Sequence, residues 1–196
     1  MNDDAKSLSA RYAPKELKSF KTDLQLGLVR FSPCGVFLFA GGLDGTVRRW
    51  KAAGDDFAEL PPLVGRRGWV QAIAFGRDRQ IITSDSWGGL CSWSYAEDQP
   101  ARNWSNDVAH DGWIRAVAVS PDVSLVATCG RDQQVRVWSA VDGARRLELG
   151  GHNEDVFCVA FHPSGRSLVS GDSKGVLKHW DLGTGACMRE DRKSVV

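Results

Sequence analysis

The sequence lacks an excess of charge of either sign and any long apolar run. Its 25 basic and 24 acidic side chains leave a formal net charge of +1, so no basic surface for nucleic acid or an anionic membrane is expected. No apolar segment approaches the length of a membrane span, and the N-terminal segment has no apolar signal core. These absences predict a soluble protein located in the cytoplasm.

The cysteines form no cluster, and no group of side chains has the spacing of a metal site. The five cysteines are scattered, and the four histidines show no ligand spacing of the H-x-x-x-H type. An odd number of scattered cysteines fits reduced thiols in the cytosol. The sequence therefore predicts neither a metal site nor a cofactor.

A convincing catalytic motif is also missing. The segment Gly171 to Gly175 has the G-x-S-x-G pattern of a hydrolase nucleophile, but such a serine must stand between a strand and a helix. Here the segment separates two short strand-like runs, where a β-turn is the simpler interpretation. No phosphate-binding glycine–lysine loop occurs, so no catalytic residue is assigned.

What the sequence does contain is a repeat marked by tryptophan. Four of the eight tryptophans close short apolar runs at intervals of roughly 40 to 45 residues: Trp50, Trp93, Trp138 and Trp180. Two apolar runs bounded by Gly, Pro or Asp precede each of these runs, and a more polar run follows. Such runs predict strands, and four strands in a repeat of this length are typical of a β-propeller blade.

The repeats resemble the WD-repeat family over nearly the whole chain, roughly residues 15–190. The segment from Gly151 to Asp181 opens with the family's glycine–histidine pair and closes with its tryptophan–aspartate pair, which the other three repeats lack. The resemblance is to WD-repeat proteins of the bacterial type. It implies an all-β fold, a WD-repeat β-propeller with four consecutive four-stranded blades.

The repeat boundaries and the chain ends lead to further expectations. The blades are expected at about 23–65, 66–108, 109–150 and 151–190. Residues 15–21 are interpreted as a latch strand for a missing last blade, so the four blades form an open arc of a larger ring, as in the family's usual seven. Residues 1–14 are expected to be a disordered tail. Residues 191–196 resemble a translated sequencing adapter, which makes the chain an N-terminal fragment; a closed four-bladed ring is the alternative.

The same resemblance implies a buried hydrogen-bonded network. In WD repeats a histidine before the first strand, a hydroxyl on the second, an aspartate in the next turn and the tryptophan are linked, which leaves no buried polar group unpaired. The third repeat has the complete set: His110, Thr128, Asp132 and Trp138. The fourth has His152 and Ser170 but Lys174 at the aspartate position, and the first two repeats lack more. The complete network is therefore expected in the third blade only.

A candidate partner-binding surface lies on the loops before each first strand and between the second and third strands. In this family these loops share one face of the disc, around the central channel. They carry three tryptophans and three arginines: Trp69, Trp87, Trp113, Arg66, Arg67 and Arg131. Tryptophan and arginine are enriched in interface hot spots. Packing between blades is an equally open interpretation for the loop tryptophans.

These features predict a non-enzymatic WD-repeat scaffold that binds protein or peptide partners through the loop face of the propeller. Neither nucleic acid nor membrane is an expected partner. The alternative is a sensor or accessory propeller attached to an enzymatic or signalling domain that follows it in a longer chain. The fold alone does not decide between these functions.

Overall fold

The chain folds into four antiparallel sheets of four strands each, which confirms the all-β prediction. The computed structural model describes residue 16 and residues 19–53, 56–65 and 67–192, and every regular element in this part of the chain is a β-strand. Strands pair only with their sequence neighbours within each sheet. The tail expected at residues 1–14 and the last four residues, 193–196, lie outside the described residues.

Each sheet is one blade, numbered in chain order. Blade 1 contains β1 (Leu26–Phe31), β2 (Phe37–Gly42), β3 (Val47–Ala53) and β4 (Asp56–Leu63). Blade 2 contains β5 (Val70–Phe75), β6 (Gln80–Asp85), β7 (Leu90–Ser94) and β8 (Ala101–Asn106). Blade 3 contains β9 (Ile114–Val119), β10 (Leu125–Gly130), β11 (Val135–Ser139) and β12 (Arg145–Leu149). Blade 4 contains β13 (Val156–Phe161), β14 (Ser167–Asp172), β15 (Val176–Asp181) and β16 (Cys187–Arg192).

The first strand of each blade is the innermost strand. Neighbouring blades contact each other mainly through their first and second strands, such as β5 with β9 and β9 with β13. Because adjacent strands are antiparallel, the loop before each first strand and the turn between the second and third strands lie at the same end of the blade. Backbone hydrogen bonds join these two segments, for example from Arg131 N–H to the Trp113 carbonyl at 2.9 Å. This end of the blades is called the loop face below.

The hydrophobic core lies between blades. Strand β10 illustrates this arrangement. Val126 packs with Trp138 against blade 2, whereas Ala127 and Cys129 of the same strand point the other way and pack against blade 4. Successive side chains of a strand point to opposite faces, so a strand covered on both faces is buried along its whole length. Each fully buried aliphatic side chain contributes about 1.5–3 kcal/mol.

The first and last blades each leave one face uncovered. Val29 and Phe31 of β1 are 53% and 54% exposed. Leu177 in blade 4 is 48% exposed, whereas Val135, at the same position of blade 3, is completely buried beneath blade 4. The four blades therefore form an open arc, as expected, and not the closed four-bladed ring that was the alternative.

The proposed latch segment is only partly described. Residues 15, 17 and 18 lie outside the described part, and residues 19–21 are not in a strand. The Phe20 ring packs on Trp50 and Phe57 of blade 1, with ring centroids 5.1 and 5.5 Å apart. This contact shields the indole of blade 1, and the latch role itself stays a prediction.

A β-bulge recurs at one position of every innermost strand. At that point the pairing register with the second strand shifts, and one extra residue is left unpaired. The extra residues are Gly27, Gln71, Arg115 and Phe157. A bulge bends its strand and re-aims the side chain at that position. The bulges lie at the loop-face end of the innermost strands, so they orient three side chains, those of Gln71, Arg115 and Phe157, at the mouth of the arc's inner opening.

Candidate binding surface and its supporting network

All four side chains of the network expected in blade 3 are linked. His110 Nδ1 lies 2.8 Å from a carboxylate oxygen of Asp132, and His110 Nε2 lies 2.7 Å from the hydroxyl of Thr128. The indole N–H of Trp138 donates to the same hydroxyl at 2.8 Å. Because a carboxylate can only accept, Nδ1 carries the proton and Nε2 accepts from Thr128. Arg136 adds a salt bridge to Asp132.

Blade 4 also contains a complete network, so the expectation of a network in blade 3 alone is wrong. His152 Nδ1 lies 2.9 Å from Asp172, and His152 Nε2 lies 2.8 Å from the Ser170 hydroxyl. The Trp180 indole donates to Ser170 at 2.8 Å. The missing carboxylate comes from Asp172, the last residue of β14, and not from the turn position that Lys174 occupies.

The blades use two alternative aspartate positions, two residues apart. Blades 1 and 3 have the aspartate in the turn, and blades 2 and 4 have it at the end of the second strand: Asp44, Asp132, Asp85 and Asp172. Glycine fills the strand-end position where the turn aspartate is used. A Cβ atom at Gly130 would lie 2.3 Å from the Trp113 carbonyl oxygen, and one at Gly42 would lie 2.3 Å from a carboxylate oxygen of Asp44. A side chain at the strand end would therefore collide with the turn aspartate itself in blade 1 and with the Trp113 carbonyl in blade 3.

In blade 2 the strand-end aspartate, Asp85, holds the turn, so the turn position at Trp87 needs no aspartate. Asp85 accepts the backbone N–H groups of Trp87 and Gly89, both at 2.9 Å. Trp93 donates to the Thr83 hydroxyl at 3.3 Å, a longer bond than in blades 3 and 4. Trp87 therefore takes no part in the network of this blade and is 67% exposed.

The corrected network predicts matched losses of stability. Asp132→Ala and Asp172→Ala should each lower the free energy of unfolding by about 1–3 kcal/mol, because each leaves a buried imidazole N–H without its acceptor. Asp44→Ala should cost no more than about 1 kcal/mol, since Asp44 faces partly exposed Arg48. Urea unfolding monitored by tryptophan fluorescence measures all three.

Lys174→Ala is the matched control for Asp172→Ala. Lys174 occupies the turn position first assigned to the aspartate, and its side chain is exposed. Its loss should change stability by less than about 0.5 kcal/mol. Equal losses for Asp172→Ala and Lys174→Ala would contradict the network in blade 4.

The blade 3 network is also expected to respond to pH. Burial lowers the pKa of His110, even though the neighbouring Asp132 carboxylate opposes the shift. Burial raises the pKa of the Asp132 carboxyl, but hydrogen bonds from His110 and Arg136 outweigh it and hold that pKa well below its usual range. In the native state the histidine is therefore neutral and the aspartate ionised around neutral pH.

Stability should fall as the pH is lowered. The unfolded chain protonates His110 near its ordinary pKa of about 6.5 while the native chain does not, so stability declines below that pH. Asp132 adds a second loss below about pH 4, where only the unfolded chain binds the proton. Urea unfolding between pH 7.5 and 4 should show a shallower decline in His110→Gln than in the unmodified chain. An unchanged slope between pH 7 and 5.5 would contradict a depressed pKa at His110.

The three loop tryptophans lie on the loop face, and two of them are in contact. The ring centroids of Trp69 and Trp113 are 5.6 Å apart, with the planes tilted by 60°. Trp69 is 44% exposed, whereas Trp113 is half-buried. The Ser86 hydroxyl accepts the backbone N–H of Trp69 at 3.0 Å, which ties this loop to the turn that carries Trp87. Of the two interpretations left open, exposure describes Trp69 and Trp87, and partial packing describes Trp113.

Of the three arginines predicted for this surface, two lie in the described part of the chain. Arg67 forms a long, exposed salt bridge of 4.0 Å with Asp107, a geometry that contributes little stability. Arg131 lies beside the third loop tryptophan through the backbone bond from its N–H to the Trp113 carbonyl. Arg66 lies outside the described residues.

Sequence reasoning missed a cluster at the mouth of the inner opening. The guanidinium carbon of Arg115 lies 4.5 Å from the ring centroid of Trp113 and 4.8 Å from that of Phe157. One of its nitrogens lies 3.4 Å from a carboxylate oxygen of Asp155. Arg115 and Phe157 are both bulge residues, so a strict alternation pattern gives no signal for their orientation.

Neither a metal centre nor a membrane segment is found in the described part of the chain. No group of three or more His, Cys, Asp or Glu side chains there could hold a metal ion. No helix long and apolar enough to cross a bilayer occurs among the same residues. The cytoplasmic location stays a prediction from the sequence.

The profile of the WD domain, G-beta repeat, matches residues 22–51, 104–139 and 143–181 of this chain. The interval between the first two matches holds most of blade 2, the blade that carries Trp69 and Trp87. Blade 2 is thus the most divergent of the four repeats.

Similar proteins include two from Caenorhabditis elegans. Transcription initiation factor TFIID subunit 5 is 30% identical over 79% of this chain and 23% of its own length. Small ribosomal subunit protein RACK1 is 28% identical over 65% of this chain and 36% of its own length. The chain spans well under half the length of these relatives. Both are animal proteins, so they give no support to the bacterial origin expected from the sequence.

A solved structure of the mitotic checkpoint complex contains a chain with a similar fold. The TM-score is 0.79 at 20% identity, and the match covers 89% of this chain and 53% of that chain. At this identity the likeness shows the fold alone.

Proposed function

The chain belongs to the WD-repeat family, and we propose that it is a non-enzymatic scaffold whose loop face binds a protein or peptide partner. Its relatives support this proposal, since their names describe a subunit of a transcription factor and a protein of the small ribosomal subunit, and the similar fold occurs in a checkpoint complex. The net charge of +1 favours a protein partner over nucleic acid.

The presentation of Trp87 is the observation that carries the proposal. Asp85 fixes the turn through two backbone hydrogen bonds, so the side chain at position 87 is not needed to hold it. The indole nevertheless lies close against Gly68, where an added Cβ atom would come within 2.5 Å of Trp87 Cδ1. A large aromatic side chain that is exposed yet restrained loses little conformational freedom on binding.

Further exposed apolar side chains lie on the loop face that carries this indole. Val64, Trp69 and Val108 lie on loops of the same face and are 56%, 44% and 85% exposed. The self-neutralised pair of Arg67 and Asp107 lies at the same site. A patch of apolar side chains with a polar rim is the composition of an interaction site. We therefore assign the main contacts to apolar side chains of the partner.

Trp87→Ala and Trp69→Ala should each weaken partner binding. Truncation of a hot-spot residue typically costs on the order of 2 kcal/mol or more, which is about thirtyfold in the dissociation constant. The partner is first identified by affinity capture and mass spectrometry with the unmodified chain. The dissociation constants of the variants are then measured with the purified partner.

Val141→Ala is the matched control. Val141 is 82% exposed, but it lies in the turn between β11 and β12, at the end opposite the loop face. This variant should bind as the unmodified chain does, and circular dichroism should show that all three variants fold. Unchanged binding by both tryptophan variants would contradict the loop face as the binding surface.

A further inference from the structure

Arg115 is aimed by a β-bulge at the loop-face end of the innermost strand of blade 3. Its neighbours Ile114 and Ala116 pair with Gly130 and Cys129, and Arg115 is the extra residue between them. The equivalent positions of blades 1 and 2 hold Gly27 and Gln71, which carry no charge. Arg115 is therefore the single cation that the four bulges place at the mouth of the inner opening.

Two aromatic rings lie against the Arg115 guanidinium. The ring centroids of Trp113 and Phe157 are 4.5 and 4.8 Å from the guanidinium carbon. Cation–π contacts of this kind hold a guanidinium plane in a fixed orientation. With rings stacked against it, the group binds a further ligand through N–H groups in its own plane.

These in-plane N–H groups are poorly used within the chain. The contact with Asp155 is 3.4 Å long, whereas a charge-assisted N–H···O bond is about 2.7–2.9 Å. The buried Nε atom has no hydrogen-bond acceptor among the described residues. The side chain is still 23% exposed, so its outer edge is accessible to a partner. A restrained guanidinium whose partly exposed edge has only a long contact to Asp155 can accommodate a carboxylate.

We propose that Arg115 is an anion-binding residue that receives the side-chain carboxylate of an Asp or Glu in the partner segment. The inference rests on the proposed function, and it adds the chemistry of the partner to it. Trp69, in contact with Trp113, offers an exposed ring beside this site for a neighbouring apolar residue of the same segment. The partner segment is thus acidic at one position and apolar next to it.

Selection from a phage library of random twelve-residue peptides tests the proposal on the unmodified chain. The enriched peptides should share an acidic residue next to an apolar or aromatic one. The same selection on Arg115→Gln should lose the acidic enrichment. Arg166→Gln should keep it, because Arg166 is exposed in the turn between β13 and β14, at the end opposite the loop face. Acidic enrichment that persists in Arg115→Gln, or is absent from the unmodified chain, overturns the inference. Failure to enrich any peptide overturns the proposed function as well, so the two failures are distinct.

The affinity of one enriched peptide for single variants gives a second test. One of these variants should bind the peptide more tightly, which a purely structural role of the residues would not produce. Replacing its acidic residue with the matching amide should weaken binding at least about tenfold, and Arg115→Lys should do the same because the fork geometry is lost. Asp155→Asn removes the competing carboxylate and should tighten binding on the order of two- to fivefold. Weaker or unchanged binding by Asp155→Asn contradicts the proposal. A phosphoserine peptide that binds more tightly than the acidic one assigns the site to phosphate instead and overturns the carboxylate assignment.

Discussion

Arg49→Ala is expected to lower the free energy of unfolding by about 3–5 kcal/mol. Arg49 is completely buried between blades 1 and 2, and its guanidinium donates to four backbone carbonyls and, within the described part of the chain, to no carboxylate. The acceptors are Pro61, Tyr95, Glu97 and Asp98. Three of them belong to the loop between β7 and β8, so one side chain ties two blades together. Its removal leaves a cavity and four carbonyls without donors.

Arg48→Ala is the control, since Arg48 is the preceding residue on the same strand. It points to the other face of β3 and forms a partly exposed salt bridge of 3.0 Å with Asp44. Its loss should cost no more than about 1 kcal/mol. Urea unfolding compares the stability losses of the two variants. If Arg49→Ala does not fold, Arg49→Lys replaces it. Lysine has fewer donors than arginine, so Arg49→Lys should lose more stability than Arg48→Ala and less than is expected for Arg49→Ala. Similar losses for Arg48→Ala and Arg49→Ala would show that the buried arginine is not the connection between the blades.

Trp138→Ala is expected to destabilise the chain by about 3–5 kcal/mol. Its indole is 2% exposed and packs with Ile82 and Leu90 of blade 2, so the change leaves a cavity in the core between blades 2 and 3. The Thr128 hydroxyl also loses the indole N–H that it accepts in the buried network. Both effects act at the same place and should reduce cooperativity between the two blades.

Trp87→Ala is the internal comparison, because it removes the same side chain from an exposed position. Its 67% exposure predicts a change of less than about 0.5 kcal/mol. Thermal unfolding by circular dichroism should therefore separate the two variants clearly. If Trp87→Ala unfolds as Trp138→Ala does, the loop tryptophan belongs to the core and the proposed binding surface is wrong.

Much of the fold could be predicted because its signals are local and repeated. Turn residues bound short apolar strands, and a tryptophan at a constant interval marks each blade, so fold class and strand order follow from the sequence alone. The blade 3 network was predictable for the same reason, because His110, Thr128 and Asp132 all stand at their expected positions.

The blade 4 network was missed because a fixed position was used for the aspartate. The strand-end carboxylate of Asp172 reaches His152 just as the turn carboxylate of Asp132 reaches His110 in blade 3. Only the folded backbone shows that both positions can face the imidazole of their blade. The signal that could have revealed it was present in the sequence. Gly130 at the strand end accompanies a turn aspartate, whereas Asp172 stands there when the turn holds Lys174.

The sequence by itself determined the blades, their strands and the apolar faces that pack between them, since these depend on the period of neighbouring residues. The tertiary structure alone decided which polar side chains lie between blades and which lie on the surface. Arg48 and Arg49 look alike in sequence, yet one is a surface ion-pair partner and the other a buried connection between blades. A one-residue bulge likewise turns Arg115 towards two rings from different loops and strands. The contacts of Arg49 with Tyr95 and of Arg115 with Phe157 join residues about one blade period apart, which no local pattern encodes.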